Sequence, residues 1–151
     1  METNNNIKNE LEKFIFNLNK LSSRERRLYH YRSTINLTNG LLSLNNSETE
    51  LFKRYILEYF TSVKSINGLI TLETSLSLYK NYLLPVGQYL IKKKEFRTRL
   101  DIVTYILSGI LFDCILLYFF NFCFTTPLFI LIGFIKIRKK IKKKQFFSIN
   151  W

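Results

Sequence analysis

Residues 102–135 read IVTYILSGILFDCILLYFFNFCFTTPLFILIGFI, thirty-four residues with a single side chain charged at neutral pH, Asp113. As one α-helix the run would be about 50 Å long, well past a hydrocarbon core of about 30 Å, so it folds back or is only partly embedded. Its middle supplies the break. In Asn121-Phe122-Cys123-Phe124-Thr125-Thr126-Pro127, Thr126 is placed to cap a helix with its hydroxyl, and Pro127 suits a first helical position, where no N–H is needed. The spacing predicts a transmembrane helical hairpin over residues 100–137, with one span at 102–120 and a second at 127–137 that Phe122 and Phe124 lengthen. The second span is short; tilt, local thinning and snorkelling of Lys136 close the gap.

The charge brackets this run. Lys92, Lys93, Lys94, Arg97 and Arg99 precede it, and Lys136, Arg138, Lys139, Lys140, Lys142, Lys143 and Lys144 follow it. These twelve bases meet three acids, Glu95, Asp101 and Asp113, so residues 92–144 carry a net +9 of the chain's formal +12. Cytoplasmic flanks of short spans collect Lys and Arg. Both flanks are basic and the turn between them is uncharged, which predicts a hairpin with both termini on the cytoplasmic side or its equivalent. The expected location is a bacterial inner membrane or an organellar inner membrane, with anionic headgroups drawn to both flanks. A wedge held in one leaflet is the alternative.

Asp113 is costly at the centre of a span, so it is expected to face protein or water. One turn back lies Gly109 and one further turn Tyr105; the second span offers Gly133 as its small residue. These four positions are the expected helix-contact set, because glycine lets backbones approach closely. Hydrogen bonding of Asp113 to Thr125, Thr126 or another subunit is the expected use of the carboxyl.

Ahead of the membrane, apolar residues recur at alternating steps of three and four, the signature of amphipathic helices. About four heptad-patterned segments show it: Ile7-Leu11-Phe14-Leu18-Leu21; Leu28-Tyr31-Ile35-Leu42, with Thr38 filling a place; Phe52-Ile56-Tyr59-Val63-Ile66-Ile70; and Leu69-Leu72-Leu76-Tyr79-Leu83-Val86-Leu90. Ser22-Ser23-Arg24-Glu25 and Ser47-Glu48-Thr49-Glu50 both fit a capping box, Asn67-Gly68 fits a helix end, and Gly40 and Asn45-Asn46 loosen the second connection. The fold expected is all-α: a soluble helical bundle over 1–99, the hairpin over 100–137 and a basic cytoplasmic tail over 138–151. Crossing Asn67-Gly68 without a turn would instead merge the last two segments into one long helix. Pro85 is expected to bend or end the fourth helix. Aromatic seams favour a bundle over a two-stranded coiled coil.

Chemistry-bearing groups are sparse. His30 is the only histidine, Cys114 and Cys123 both sit in the apolar run, and no G-x-S-x-G, Gly-rich phosphate loop, H-E-x-x-H or C-x-x-C occurs. No cofactor, metal site or catalytic residue is expected, and no enzyme. Residues 1–13 hold no apolar stretch of secretory-signal length. Tyr55, Tyr59, Phe60, Tyr79, Tyr82 and Tyr89 invite base stacking only superficially, and the patch Arg24, Arg26, Arg27, Arg32 reads as a solvated face, so nucleic acid is disfavoured. The leading expectation is a non-enzymatic accessory or scaffolding subunit of a larger membrane complex, bound to an integral-membrane partner or to copies of itself. The alternatives are a self-assembling membrane-active protein (a small channel, holin-like permeabiliser or defence effector) and a membrane immunity or regulatory protein.

Overall fold

The computed structural model describes residues 2–44, 46–66 and 70–149. The expected turn at Asn67-Gly68, the stripe position Leu69 and Asn45 lie outside the described residues. Among those described the chain is all-helical with no β-strand. In order come α1 (Glu2–Leu18), α2 (Ser23–Leu28), α3 (Tyr31–Leu42), α4 (Thr49–Lys64), α5 (Leu72–Leu78), a π-helical turn (Tyr79–Leu83), α6 (Leu84–Lys94), α7 (Leu100–Phe120) and α8 (Thr125–Lys142). Two compact units divide the chain: Met1–Phe96 with Phe147–Trp151, and Arg97–Phe146. These units divide at 96/97 and 146/147.

The first unit packs α1 to α6 around one apolar core. The first stripe is borne by α1, whose Ile7, Leu11, Phe14 and Leu18 are buried. The expected second helix is two. Ser22 opens α2 with a complete capping box, its hydroxyl accepting from Glu25 N–H at 3.3 Å while the Glu25 carboxylate accepts from Ser22 N–H at 2.8 Å. His30 then takes φ 47, a left-handed conformation that stops α2 and restarts the helix at Tyr31. That break resets the helical phase. Helix α3 buries Ser33, Thr34, Asn36, Leu37, Thr38 and Leu41; of the expected stripe Thr38 is buried, while Tyr31, Ile35 and Leu42 are half-buried. Gly40 is inside α3, not a loosened connection; the space where its Cβ would lie is filled by Leu90 and the Phe96 ring.

The second expected capping box does not form. Helix α4 starts after Glu48 with no side-chain cap; Thr49 turns its hydroxyl back onto Asn46 O, and Glu50 pairs with the buried Lys53 at 2.7 Å. Helix α4 closes at Lys64, and Ser65-Ile66 and Ile70-Thr71 are non-helical, so α4 and α5 are separate helices. Thr71 caps α5 through Thr74 N–H at 3.2 Å. Pro85 does not end or break the helix that contains it. The π-turn ahead of it places one extra residue in the ring, with Leu84 N–H donating to Tyr79 O, and the helix continues to Lys94. A widened turn relieves the clash of a proline ring with the preceding carbonyls, and the N–H that proline lacks falls in the first turn of α6.

The chain returns to the first unit after Gln145-Phe146. Phe147 is fully buried there, its ring filling the space that a Cβ on Gly87 would need. Beside it Ser33 Oγ donates to Ser148 O at 2.8 Å and accepts from Ser148 N–H at 3.1 Å. The segment expected as a basic tail is thus helix up to Lys142 and core at Phe147.

The second unit is an antiparallel pair. Arg97 N–H donates to Gln145 O at 3.1 Å, closing the end where the chain enters and leaves. Helix α7 ends at Asn121, whose φ of 52 and N–H to Leu117 O form a left-handed cap that asparagine tolerates better than most residues.

Phe147→Ala is expected to destabilise the first unit by about 3–5 kcal/mol, and Gly87→Ala to act in the same direction by expelling the ring. Urea unfolding of the full chain in mild detergent, followed by far-ultraviolet circular dichroism, measures both.

Candidate functional site

The second unit holds a polar cluster inside an apolar stretch. Oδ1 of Asp113 accepts from Thr125 N–H and Thr125 Oγ1, each at 2.6 Å, and Oδ2 accepts from Thr126 N–H at 2.9 Å and Thr126 Oγ1 at 2.6 Å. A carboxylate offers about four lone-pair sites, and here each meets a donor. The first N–H groups of a helix have no partner within the helix, so Asp113 supplies from α7 the cap that α8 lacks in its own sequence. Negative charge at a helix N-terminus also opposes the helix dipole favourably. Thr126 is accordingly a donor to the carboxylate, not the N-cap; that position belongs to Phe124, which makes no side-chain cap bond. Helix α8 begins at Thr125, so Pro127 is its third residue, still in the first turn where a missing N–H costs nothing.

Around this clamp the two helices touch through glycine. A Cβ on Gly109 would lie 2.8 Å from Thr126 Cα and 3.1 Å from Phe129 Cβ, and one on Gly133 would lie 2.8 Å from the Tyr105 ring. Tyr105, Gly109, Asp113 and Gly133, singled out by spacing alone, thus converge on one contact, and both of its sides belong to this chain. Phe112 and Phe129 add a tilted ring pair at 5.9 Å.

At the other end of the pair stand the cations. Arg97 and Arg99 lead into α7, while Lys136, Arg138, Lys139, Lys140, Lys142, Lys143 and Lys144 occupy the end of α8 and its exit. Asp101 takes a loose ion pair from Arg97 at 3.8 Å, Lys140 donates to Gln145 Oε1 at 3.2 Å, and Lys136 lies 5.3 Å from the centre of the Tyr105 ring. Lys92, Lys93 and Lys94 form the last turn of α6 in the first unit, where Lys93 pairs with Glu48 at 3.0 Å.

Among the described residues one helix, α7, is long and apolar enough to cross a membrane, and only 6% of its apolar window is buried. Leu107 and Leu111 face outward along it. Helix α8 does not meet that measure over its length, because charge begins at Lys136, its twelfth residue.

In the first unit the structure brings together a pair that sequence spacing concealed. His30 Nε2 lies 2.9 Å from Ser75 O and 3.1 Å from Ser75 Oγ, and Ser75 Oγ donates to Leu28 O at 2.5 Å. Both residues are fully buried, and the serine proton is committed to a backbone carbonyl, so the pair ties the α2–α3 break to α5 rather than presenting a nucleophile. Forty-five residues separate the two, with no local pattern to link them. Burial holds the imidazole below its ordinary range, against a smaller opposing effect of the Ser75 carbonyl. A cleft of about 330 Å³ between α1 and α4 carries Glu10 and Lys64, which neutralise each other as an ion pair. Lys64 beside Glu10 holds that carboxyl below the usual range. Among the described residues no group of His, Cys, Asp and Glu is placed to hold a metal ion.

These geometries predict the outcome of two substitutions. Asp113→Leu strips four donors of their acceptor and removes the cap of α8. It should lower the melting temperature of the helix pair in detergent more than Leu111→Ala on the outward face of α7. For His30, the folded state favours the neutral ring, so its contribution is complete above the ordinary value near 6.5 and is lost progressively as pH falls through that value towards the lowered folded one. The urea midpoint of the first unit should therefore fall between pH 7 and pH 5, and His30→Gln should flatten that part of the fall.

No family model, curated protein or solved structure matches the chain.

Proposed function

We propose that this protein is a membrane-anchored, non-enzymatic accessory or scaffolding subunit of a larger membrane complex, held in an anionic bilayer by the α7–α8 hairpin. The observation that carries the reading is the state of Asp113. Its carboxylate is saturated by Thr125 and Thr126 of the same chain, so the hairpin is polar-satisfied inside and apolar outside, which is what lipid or a membrane partner solvates. The same observation weighs against a water-filled pore built from these helices. With Asp113 turned inward, no side chain charged at neutral pH between Ile102 and Ile135 remains to line one.

Charge supports the orientation in which the chain enters and leaves the membrane on one side. The cations of the second unit gather at the end joined by Arg97 and Gln145, and none lies at the turn. The first unit supports a binding role on that side: its His–Ser pair is buried structure, and its cleft holds an ion pair that is already neutral.

The full chain should remain with membranes through alkaline carbonate extraction, and mild-detergent purification from its native source should recover it with an integral-membrane partner in fixed ratio. Quantitative release into the carbonate supernatant removes the anchor. A monodisperse, partner-free chain from several mild detergents removes the accessory role, and dye leakage from vesicles at low protein concentration supports membrane permeabilisation in its place.

A further inference from the structure

The two arms of the hairpin differ in reach, and the difference fixes how the second unit meets a bilayer, an inference that rests on the proposed membrane anchor. Helix α7 has twenty-one residues and is about 31 Å long, enough to cross a hydrocarbon core of about 30 Å. Helix α8 starts level with Asp113, where Thr125 and Thr126 are bound, and passes Tyr105 at Gly133. Its uncharged part, Thr125–Ile135, is eleven residues or about 16 Å. Past Asp113, α7 therefore continues alone for seven residues, about 10 Å. The chain climbs back through Asn121–Phe124, four residues without regular structure.

Two constraints place that turn. Among the described residues, the backbone N–H groups of Phe122, Cys123 and Phe124 have no backbone partner, and irregular backbone facing lipid does not persist inside hydrocarbon. The turn thus needs a polar zone along the whole of its climb, which local thinning of the bilayer beside the last seven residues of α7 supplies. Yet Tyr118, Phe119, Phe120, Phe122 and Phe124 are all well exposed, and no charge accompanies them. Aromatic residues at the end of a span settle at headgroup level rather than in bulk water. At the opposite end the cations from Lys136 to Lys144, with Arg97 and Arg99, complement an anionic surface.

We propose that the second unit is a one-sided membrane insert: its cationic end lies in the anionic headgroups of one leaflet, α7 alone reaches the far side, and the aromatic turn lodges without emerging in the opposite headgroup layer, which thins inward beside the lone end of α7. Cys123, exposed in the turn, is a native reporter of that depth.

The full-length Cys114→Ala chain, leaving Cys123 as the single thiol, is reconstituted into sealed vesicles of phosphatidylcholine with anionic phosphatidylglycerol, and molecules with the cationic end outward are scored. A small permeant maleimide should label Cys123, and a bulky charged maleimide should fail both from outside and when trapped inside, until detergent is added. Labelling by the trapped charged reagent shows a turn that emerges, and failure of the permeant reagent shows a turn inside hydrocarbon; each overturns the inference and leaves the membrane anchor standing. Labelling by the charged reagent from outside shows that the hairpin never inserted, and takes the membrane anchor with it. In parallel, replacing Lys139, Lys142, Lys143 and Lys144 with Gln should cut the partition onto anionic vesicles in flotation more than tenfold, with little change on phosphatidylcholine alone. Equal partition of both chains overturns the headgroup contact, and flotation of neither chain with either vesicle again removes the membrane anchor itself.

Discussion

A helix must find acceptors for its first N–H groups, and this constraint organises the second unit. Helix α8 carries no N-cap of its own: Phe124 holds that position, and Thr125 and Thr126 turn their hydroxyls outward to the neighbouring helix. Asp113 answers all four donors at once. The close approach that this needs comes from Gly109, one turn away, where a methyl group would collide with the Thr126 backbone. Clamp and glycine depend on each other, since a wider gap would leave the carboxylate and the amides equally unmet.

The first unit obeys a related rule with different means. Where α2 stops, His30 adopts a left-handed backbone and sinks its ring against Ser75, so a break in the helix becomes a buried junction. Where Pro85 removes an N–H, a π-turn absorbs the geometry and the helix runs on. Where the chain returns from the second unit, Phe147 occupies the space vacated by the absent side chain of Gly87, and Ser33 satisfies the backbone of Ser148. Each irregularity is matched by a specific partner elsewhere in the fold. The two points at which the chain leaves and re-enters the first unit are thereby seated in that unit's own core, Phe96 against Gly40 and Phe147 against Gly87.

Charge and burial divide the labour of the hairpin. Its inside is settled within the chain, by the clamp, the two glycine contacts and the Phe112–Phe129 pair. Its outside is left to the surroundings: an apolar α7 surface, cations at one end and uncharged aromatic rings at the other. The polar groups at the α7–α8 contact are therefore met without any group from outside the chain.

Residue order alone establishes the all-helical class, one apolar segment of membrane-crossing length, the α1 stripe, the Ser22 capping box and the set Tyr105, Gly109, Asp113 and Gly133. These are legible because helical periodicity, turn chemistry and the cost of a lone carboxylate act over a few residues. Packing over longer distances set the rest. Which face of α3 is buried depended on the phase reset at His30, and the Ser47–Glu50 box is out of frame because α4 opens at Thr49 with Glu48 at its cap, Glu50 pairing with Lys53 instead. That Thr126 donates rather than caps, and that Phe147 belongs to the core, rested on contacts twelve or more residues apart. Local pattern reports which side chains want burial or a partner; only the folded chain specifies which distant group supplies it, because several candidates satisfy the same chemistry until packing excludes all but one.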